Sequence, residues 1–301
     1  MGCRNDALLP STVMATAVRY RLPEAIRAAA LHEPEDWWGL QRHHGAYRRE
    51  RDLLARPWEA VSVLWRTPDV TLASVQDYRS GLPGPQEHVW GATLGPEAHV
   101  FANHPANSAT HSAARPNFWA GNRILPRAAQ EGGALLAVYR IRPLTPWVHA
   151  RLVPDTALRP VARAVHGRPR GSATAMSLWP PKGAAGYSNV VRRPARSYAR
   201  PGRGVAWVCQ VGRRATHGSF AEFVEGLHEP EFGPSVRHVT PDGRELELGL
   251  EGRFRVDGRP RLLDGFHIRN PFTDTAPDAE RMTITVGSRR HTLDLIRPHR
   301  G

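Results

Sequence analysis

Between residues 76 and 122 the chain gathers side chains that could hold or transform a polar ligand. "QDYRSGLPGPQEHVW" (76–90) supplies Tyr78, Arg79 and His88. "HVFANHP" (99–105) supplies His99, Asn103 and His104, and "RPNFWAGN" (115–122) supplies Asn117, Trp119 and Asn122. The residue types suit a sugar: aromatic faces stack on pyranose rings, while Asn, Gln, His and Arg meet hydroxyl groups through paired hydrogen bonds. Arg and Asn also suit an acidic sugar, because neutralising a uronate carboxylate makes the proton at C5 more acidic. A Tyr or His would remove that proton, and a Tyr or His would protonate the leaving glycosidic oxygen. That is elimination, which needs no pair of carboxylates, whereas glycoside hydrolysis usually uses two at about 5–10 Å. The nearby acids, Asp77, Glu87 and Glu97, form no evident pair, and residues 104–122 contain no acid at all.

The chemistry therefore nominates Tyr78, His88 and His104 as acid–base residues. It nominates Arg79, Asn103, Asn117, Trp119 and Asn122 as substrate-binding residues. Proline restricts the residue before it to extended backbone, so His104, before Pro105, is expected to expose its ring at a strand end. Each residue also has a plainer reading. His88 could be a hydrogen-bonded strand residue, Tyr78 an edge-strand aromatic, and Asn beside Gly121 simple turn chemistry. His99 and His104 lack a third zinc ligand and Asn103 is a poor one, so no metal or cofactor is expected and a structural zinc has no support.

These residues need a scaffold. The chain has 301 residues, long enough for a sizeable core, and its apolar share of 41 % with 23 % charged residues places it among ordinary globular proteins. Of two cysteines, Cys3 lies near the N-terminus and Cys209 in an apolar run that favours a buried thiol; no disulfide framework follows. No phosphate-binding glycine loop with Lys, G-x-S-x-G elbow, H-E-x-x-H or calcium loop is present, which disfavours kinase, Rossmann dehydrogenase and serine hydrolase functions. No apolar run approaches a membrane span or a secretory signal. The default location is cytoplasmic, or secreted if the natural N-terminus lies further upstream.

The formal net charge is +13, yet +10 of it falls in residues 151–204, which hold eleven Lys/Arg and one acid, Asp155. That stretch is rich in proline and has no sustained period of 2 or 3.6. It reads as an irregular basic insert, able to bind polyanions but framed by no nucleic-acid motif, so a nucleic-acid partner is not favoured.

Around it the pattern is one of strands. "WEAVSVLWRT" and "DVTLASVQDY" alternate about a Thr-Pro-Asp turn at 67–69, and two more strands flank Gly95-Pro96. "ALLAVYRI" (134–141) and "VAWVCQVG" (205–212) read as fully buried strands. Asp-Gly pairs at 242–243, 257–258 and 264–265 and Gly287-Ser288 mark tight turns. Helix is expected at 23–33, at a second short stretch within "EDWWGLQRHHGAYRRERDLL", and at 217–229, where Ser219 and Glu222 form a capping box. The fold class is mainly β: an antiparallel β-sandwich with a short helical N-terminal segment (1–55), a first part of the sandwich (56–150), the basic insert (151–204) and the remaining strands (205–301).

The run "SVQDYRSGLPGPQEHVWGATLGPEAHVFANHPANS…RPNFWAGNRILPRAAQ" resembles a segment of the heparinase II/III-like polysaccharide lyases, over roughly 12–142 and again 204–297. That resemblance implies the C-terminal β-sandwich part of a larger bacterial carbohydrate-active protein, whose toroid of helices would lie upstream. It also implies a Tyr/His elimination pair, here Tyr78 with His88 or His104, and an Asn or Arg that neutralises the uronate, here Asn103, Asn117 or Arg79. Three functions follow as expectations: elimination on a uronate-containing polysaccharide; a non-catalytic sandwich that binds carbohydrate or completes a larger enzyme; and polyanion binding through 151–204.

Overall fold

A computed structural model describes residues 21–32, 36–44, 59–76, 78–84, 88–95, 98–104, 122–141, 149–153, 159–163, 174–179, 186–195, 203–249, 251 and 253–295. Asn117, Trp119 and the rest of 105–121 lie outside the described residues. The chain is mainly β, with antiparallel sheets and few helices, as expected.

In chain order the elements are helix α1 (Glu24–Leu31) and strands β1 (Trp37–His44), β2 (Glu59–Arg66), β3 (Thr71–Gln76), β4 (Trp90–Gly95), β5 (Ala98–Asn103), β6 (Arg127–Glu131) and β7 (Ala134–Ile141). There follow β8 (His149–Val153), β9 (Arg159–Arg163), β10 (Thr174–Trp179), β11 (Gly186–Ala195) and β12 (Arg203–Arg213), then helices α2 (Arg214–His217) and α3 (Phe220–Glu225). The last part contains β13 (Glu231–Phe232), β14 (Ser235–Val239), β15 (Glu245–Gly249), β16 (Arg255–Val256), β17 (Arg259–Pro260), β18 (Ile268–Asn270), β19 (Thr273–Thr275), β20 (Arg281–Val286) and β21 (Arg289–Asp294).

These strands form an eight-stranded sheet (β19-β18-β1-β2-β3-β4-β5-β8), a six-stranded sheet (β6-β7-β12-β11-β10-β9), a five-stranded sheet (β13 to β17 in order) and the β20–β21 hairpin. The six-stranded sheet is the middle layer. Leu135, Ala137 and Tyr139 of β7 and Trp207, Cys209 and Val211 of β12 pack with Trp65, Leu72, Trp90, Leu94 and Val100 of the eight-stranded sheet. The intervening residues Leu136, Val138, Ala206 and Val208 pack with Val236, Leu246, Leu248 and Phe254 on the other side. A strand covered on both faces must be apolar at every position, which explains the unbroken run from Ala134 to Tyr139 and the buried Cys209. Burying such side chains stabilises the fold by about 1.5–3 kcal/mol each before entropy is counted.

The turn chemistry is realised. Gly243 adopts φ 84°, and Asp257 (51°) with Gly258 (74°) makes the mirror-image turn joining β16 to β17. Ser219 accepts from the Glu222 amide and Glu222 reaches back to the Ser219 amide, closing the capping box of α3.

Two expectations change. Within the stretch read as a second helix, residues 37–44 form β1, paired with β2 from Trp37↔Arg66 to His44↔Glu59 and with β18 on the other side. Leu40 packs there against Val61, Val63 and Phe266, so cross-strand pairing overrides a helix that Gly39 would weaken. Residues 151–204, read as irregular, carry part of β8 and all of β9, β10 and β11. β11 pairs with β12 from Gly186↔Arg213 to Ala195↔Gly204, so its register is set by a neighbour and not by an alternating pattern of its own.

Candidate functional site

Of the nominated residues, Asn103, His104 and Asn122 come together, in the interior. β5 ends at Asn103, and the described chain resumes at Asn122. Asn103 Nδ2 donates to Asn122 Oδ1 at 3.1 Å, and the Arg123 amide donates to the His104 carbonyl at 3.0 Å. The returning strand lies along 81–84: the Gly84 amide meets the Asn122 carbonyl at 2.8 Å, Gly81 meets the Leu125 carbonyl at 3.0 Å, and Leu125 meets the Leu82 carbonyl at 2.8 Å. Gly84 is required there, because a Cβ would stand 2.7 Å from the Leu125 side chain.

All of this is interior. Asn103 and His104 are 0 % exposed, and Asn122 and Tyr78 are also buried. Proline's steric rule fixes the backbone before Pro105 but not where the ring points, so His104 turns inward and not to solvent as expected. Tyr78 sits in the main core cluster, not at a wet edge. Arg79 is half-buried at φ 45°, and His88 is half-buried with its ring stacked on Phe101 at 3.6 Å between centroids. His99 binds Thr93 Oγ1 through Nδ1 at 3.1 Å. Among the described residues no three His, Cys, Asp or Glu side chains stand together as a metal site.

A second polar seam crosses the layers. Ser74 donates to Gln130 Oε1 at 2.8 Å, and Gln130 Nε2 donates to the Leu72 carbonyl at 2.9 Å. Gln210 Nε2 donates to the Val211 carbonyl at 3.1 Å, and its Oε1 meets His238 Nε2 at 2.9 Å. Burial first, and the nearby His228 second, push the His238 imidazole down to about 4. These bonds join β3, β6, β12 and β14, so they tie the three layers in register.

What faces outward is a cleft of about 300 Å³, found where the β1–β3 end of the eight-stranded sheet meets β6, β15 and the segment 253–264. Arg42, Arg127, Arg253 and Arg261 line it, against one acid, Asp264. Arg42 Nη1 donates to the Leu263 carbonyl at 3.0 Å. Arg261 is held by Glu131, Nε to Oε2 at 3.1 Å, and that buried carboxylate also takes Arg244 at 2.7 Å. Gln76 closes the set: it is 4 % exposed, and among the described residues its Nε2 has no acceptor.

Sequence reasoning missed this cleft because its residues run from position 42 to position 264 on six separate segments. One signal was available. Gln76 continues the Val70, Leu72, Ser74 face of β3, a polar side chain at a core-facing position, which calls for a partner or a function.

No protein-family model, no curated protein and no solved structure matches this chain. Among the described residues no helix is long and apolar enough to cross a membrane.

Proposed function

We propose that this chain is a β-sandwich module that binds an acidic saccharide without cleaving it. The observation that carries the reading is the contrast in access: four arginines border an open cleft, whereas Tyr78 and His104 are buried. Guanidinium groups match the planar oxygens of a carboxylate with paired, charge-assisted hydrogen bonds, and Gln76 adds a neutral donor. Elimination would need a proton carrier in contact with C5; His104 is fully buried, Tyr78 belongs to the core cluster, and the half-buried His88 has its ring stacked on Phe101. The resemblance to heparinase-like lyases fits this role, as a sandwich accompanying a catalytic part.

Two measurements on one preparation test the reading. Incubation with uronate-containing polysaccharides is expected to give no rise in the ultraviolet absorbance of unsaturated uronate, while calorimetry with oligouronates gives binding that weakens with salt. Unsaturated product would overturn the non-catalytic reading. Absence of binding to every acidic saccharide would overturn the saccharide assignment.

A further inference from the structure

We infer that the arginine-lined cleft is an end-on site for one oxyanion-bearing sugar unit, either a free sugar acid or sugar phosphate, or the terminal unit of a chain. The inference rests on the binding reading above and sharpens it from a polymer surface to a pocket.

Three features carry it. The first is size. About 300 Å³ lies at the small end of ligand pockets, enough for one ring and too little for an internal stretch of polymer running through. The second is the donor set. Arg42, Arg127, Arg253 and Arg261 supply positive charge from three different segments, and Gln76 Nε2 is a buried donor with no acceptor among the described residues. Buried donors are almost always satisfied, and this one, in a residue that lines the cleft, suits a ligand oxygen that reaches the wall. The third is asymmetry. Asp264 is the only acid in the lining among the described residues, and a carboxylate accepts hydrogen bonds from hydroxyl groups while repelling a second anion. A ligand with an oxyanion at one end and hydroxyls at the other satisfies both.

The arginines are also positioned in advance. Glu131 is 6 % exposed and fixes Arg261 from behind, while the Leu263 carbonyl fixes Arg42. A guanidinium already held in place loses less freedom when it binds. The two sources of the oxyanion share this chemistry, and the ligand panel separates them.

Calorimetry or ligand-observed NMR on the full chain would compare glucuronate, glucose 6-phosphate, glucose, acetate and inorganic phosphate with an oligouronate. One-site binding is expected for glucuronate or for glucose 6-phosphate, at least tenfold tighter than for acetate, phosphate or glucose. A preference for glucuronate assigns a carboxylate; the reverse preference assigns a phosphate ester. Gln76→Leu is expected to weaken that binding about tenfold or more, and Arg253→Ala, an exposed position that leaves the fold alone, about fivefold. Equal binding of the bare anion and the sugar anion overturns the sugar part. Oligouronate binding with no response to the single units overturns the end-on site while leaving the saccharide reading intact. Silence from the whole panel and the oligouronate overturns both. Full binding by Gln76→Leu and by Arg253→Ala places the ligand elsewhere and overturns the assignment.

Discussion

Two polar regions of this molecule use similar side chains for opposite purposes. Where the chain leaves β5, Asn103 and His104 are buried with Asn122, and Asn103 Nδ2 donates to Asn122 Oδ1. Beside the cleft, Gln76 is nearly as buried, and its amide nitrogen has no acceptor among the described residues. A buried donor whose hydrogen bond closes within the protein contributes to stability, and one that lacks an acceptor beside a cleft costs stability and suits a ligand oxygen. Residue type distinguishes neither case.

The comparison can be broken by experiments that separate stability from binding. The largest effect is expected from pH. His238 is buried in the seam with Nε2 against Gln210 Oε1, and its folded value of about 4 lies below the ordinary histidine value near 6.5. The unfolded chain therefore takes up this proton first. The stability that neutral His238 contributes is fully present above about pH 6.5 and is lost as pH falls toward 4, by up to about 3 kcal/mol. Denaturant titrations from pH 7 to pH 4 on the wild type and on His238→Leu read this directly; an identical slope in both would remove His238 as the cause.

Next in size is Asn103→Ala, which leaves Asn122 without its donor and opens a small cavity. A loss of about 2 kcal/mol in thermal or chemical unfolding is expected, with oligouronate affinity unchanged. Reduced affinity at unchanged stability would move Asn103 from the closed set to the ligand-binding set. Gln76→Leu is the mirror experiment. Removing an unsatisfied amide is expected to raise stability by about 1 kcal/mol while binding falls. A loss of stability would show that the amide already has a partner in solution. The smallest effect belongs to Arg140→Ala, whose 3.4 Å pair with Glu251 is exposed on both sides. It should change unfolding by less than about 0.5 kcal/mol and binding not at all.

Much of the fold was legible in the chain. The Asp-Gly turns, the capping box at Ser219 and Glu222, and the doubly buried strands around Leu136 and Val208 are local or periodic features, and the structure realises them. β1 was not legible, because Trp37-Trp38 and Leu40 fit an apolar helix face as well as a strand, and only pairing with β2 and β18 decides between them. The strands of 151–204 escaped for a related reason: with no alternation of their own, they take their register from β12, β5 and one another. For the candidate site, the sequence brought Tyr78, His104, Asn103 and Asn122 to notice by type, and the structure brings His104, Asn103 and Asn122 together. It could not say which way they face.

The sequence by itself determined the class of this protein, since period-2 patterns, β-branched residues and tight-turn pairs leave an antiparallel β structure as the consistent solution. It also determined that the chain would be rich in arginine, so that an acidic partner was a natural expectation. The tertiary structure alone decided where chemistry is accessible. A strand's alternation tells which residues share a face, but which layer covers that face, and where the covering stops, depends on contacts between residues far apart in the chain. Coverage is complete over Asn103 and His104 and leaves a cleft beside Gln76, and that non-local fact separates a structural polar group from a binding one.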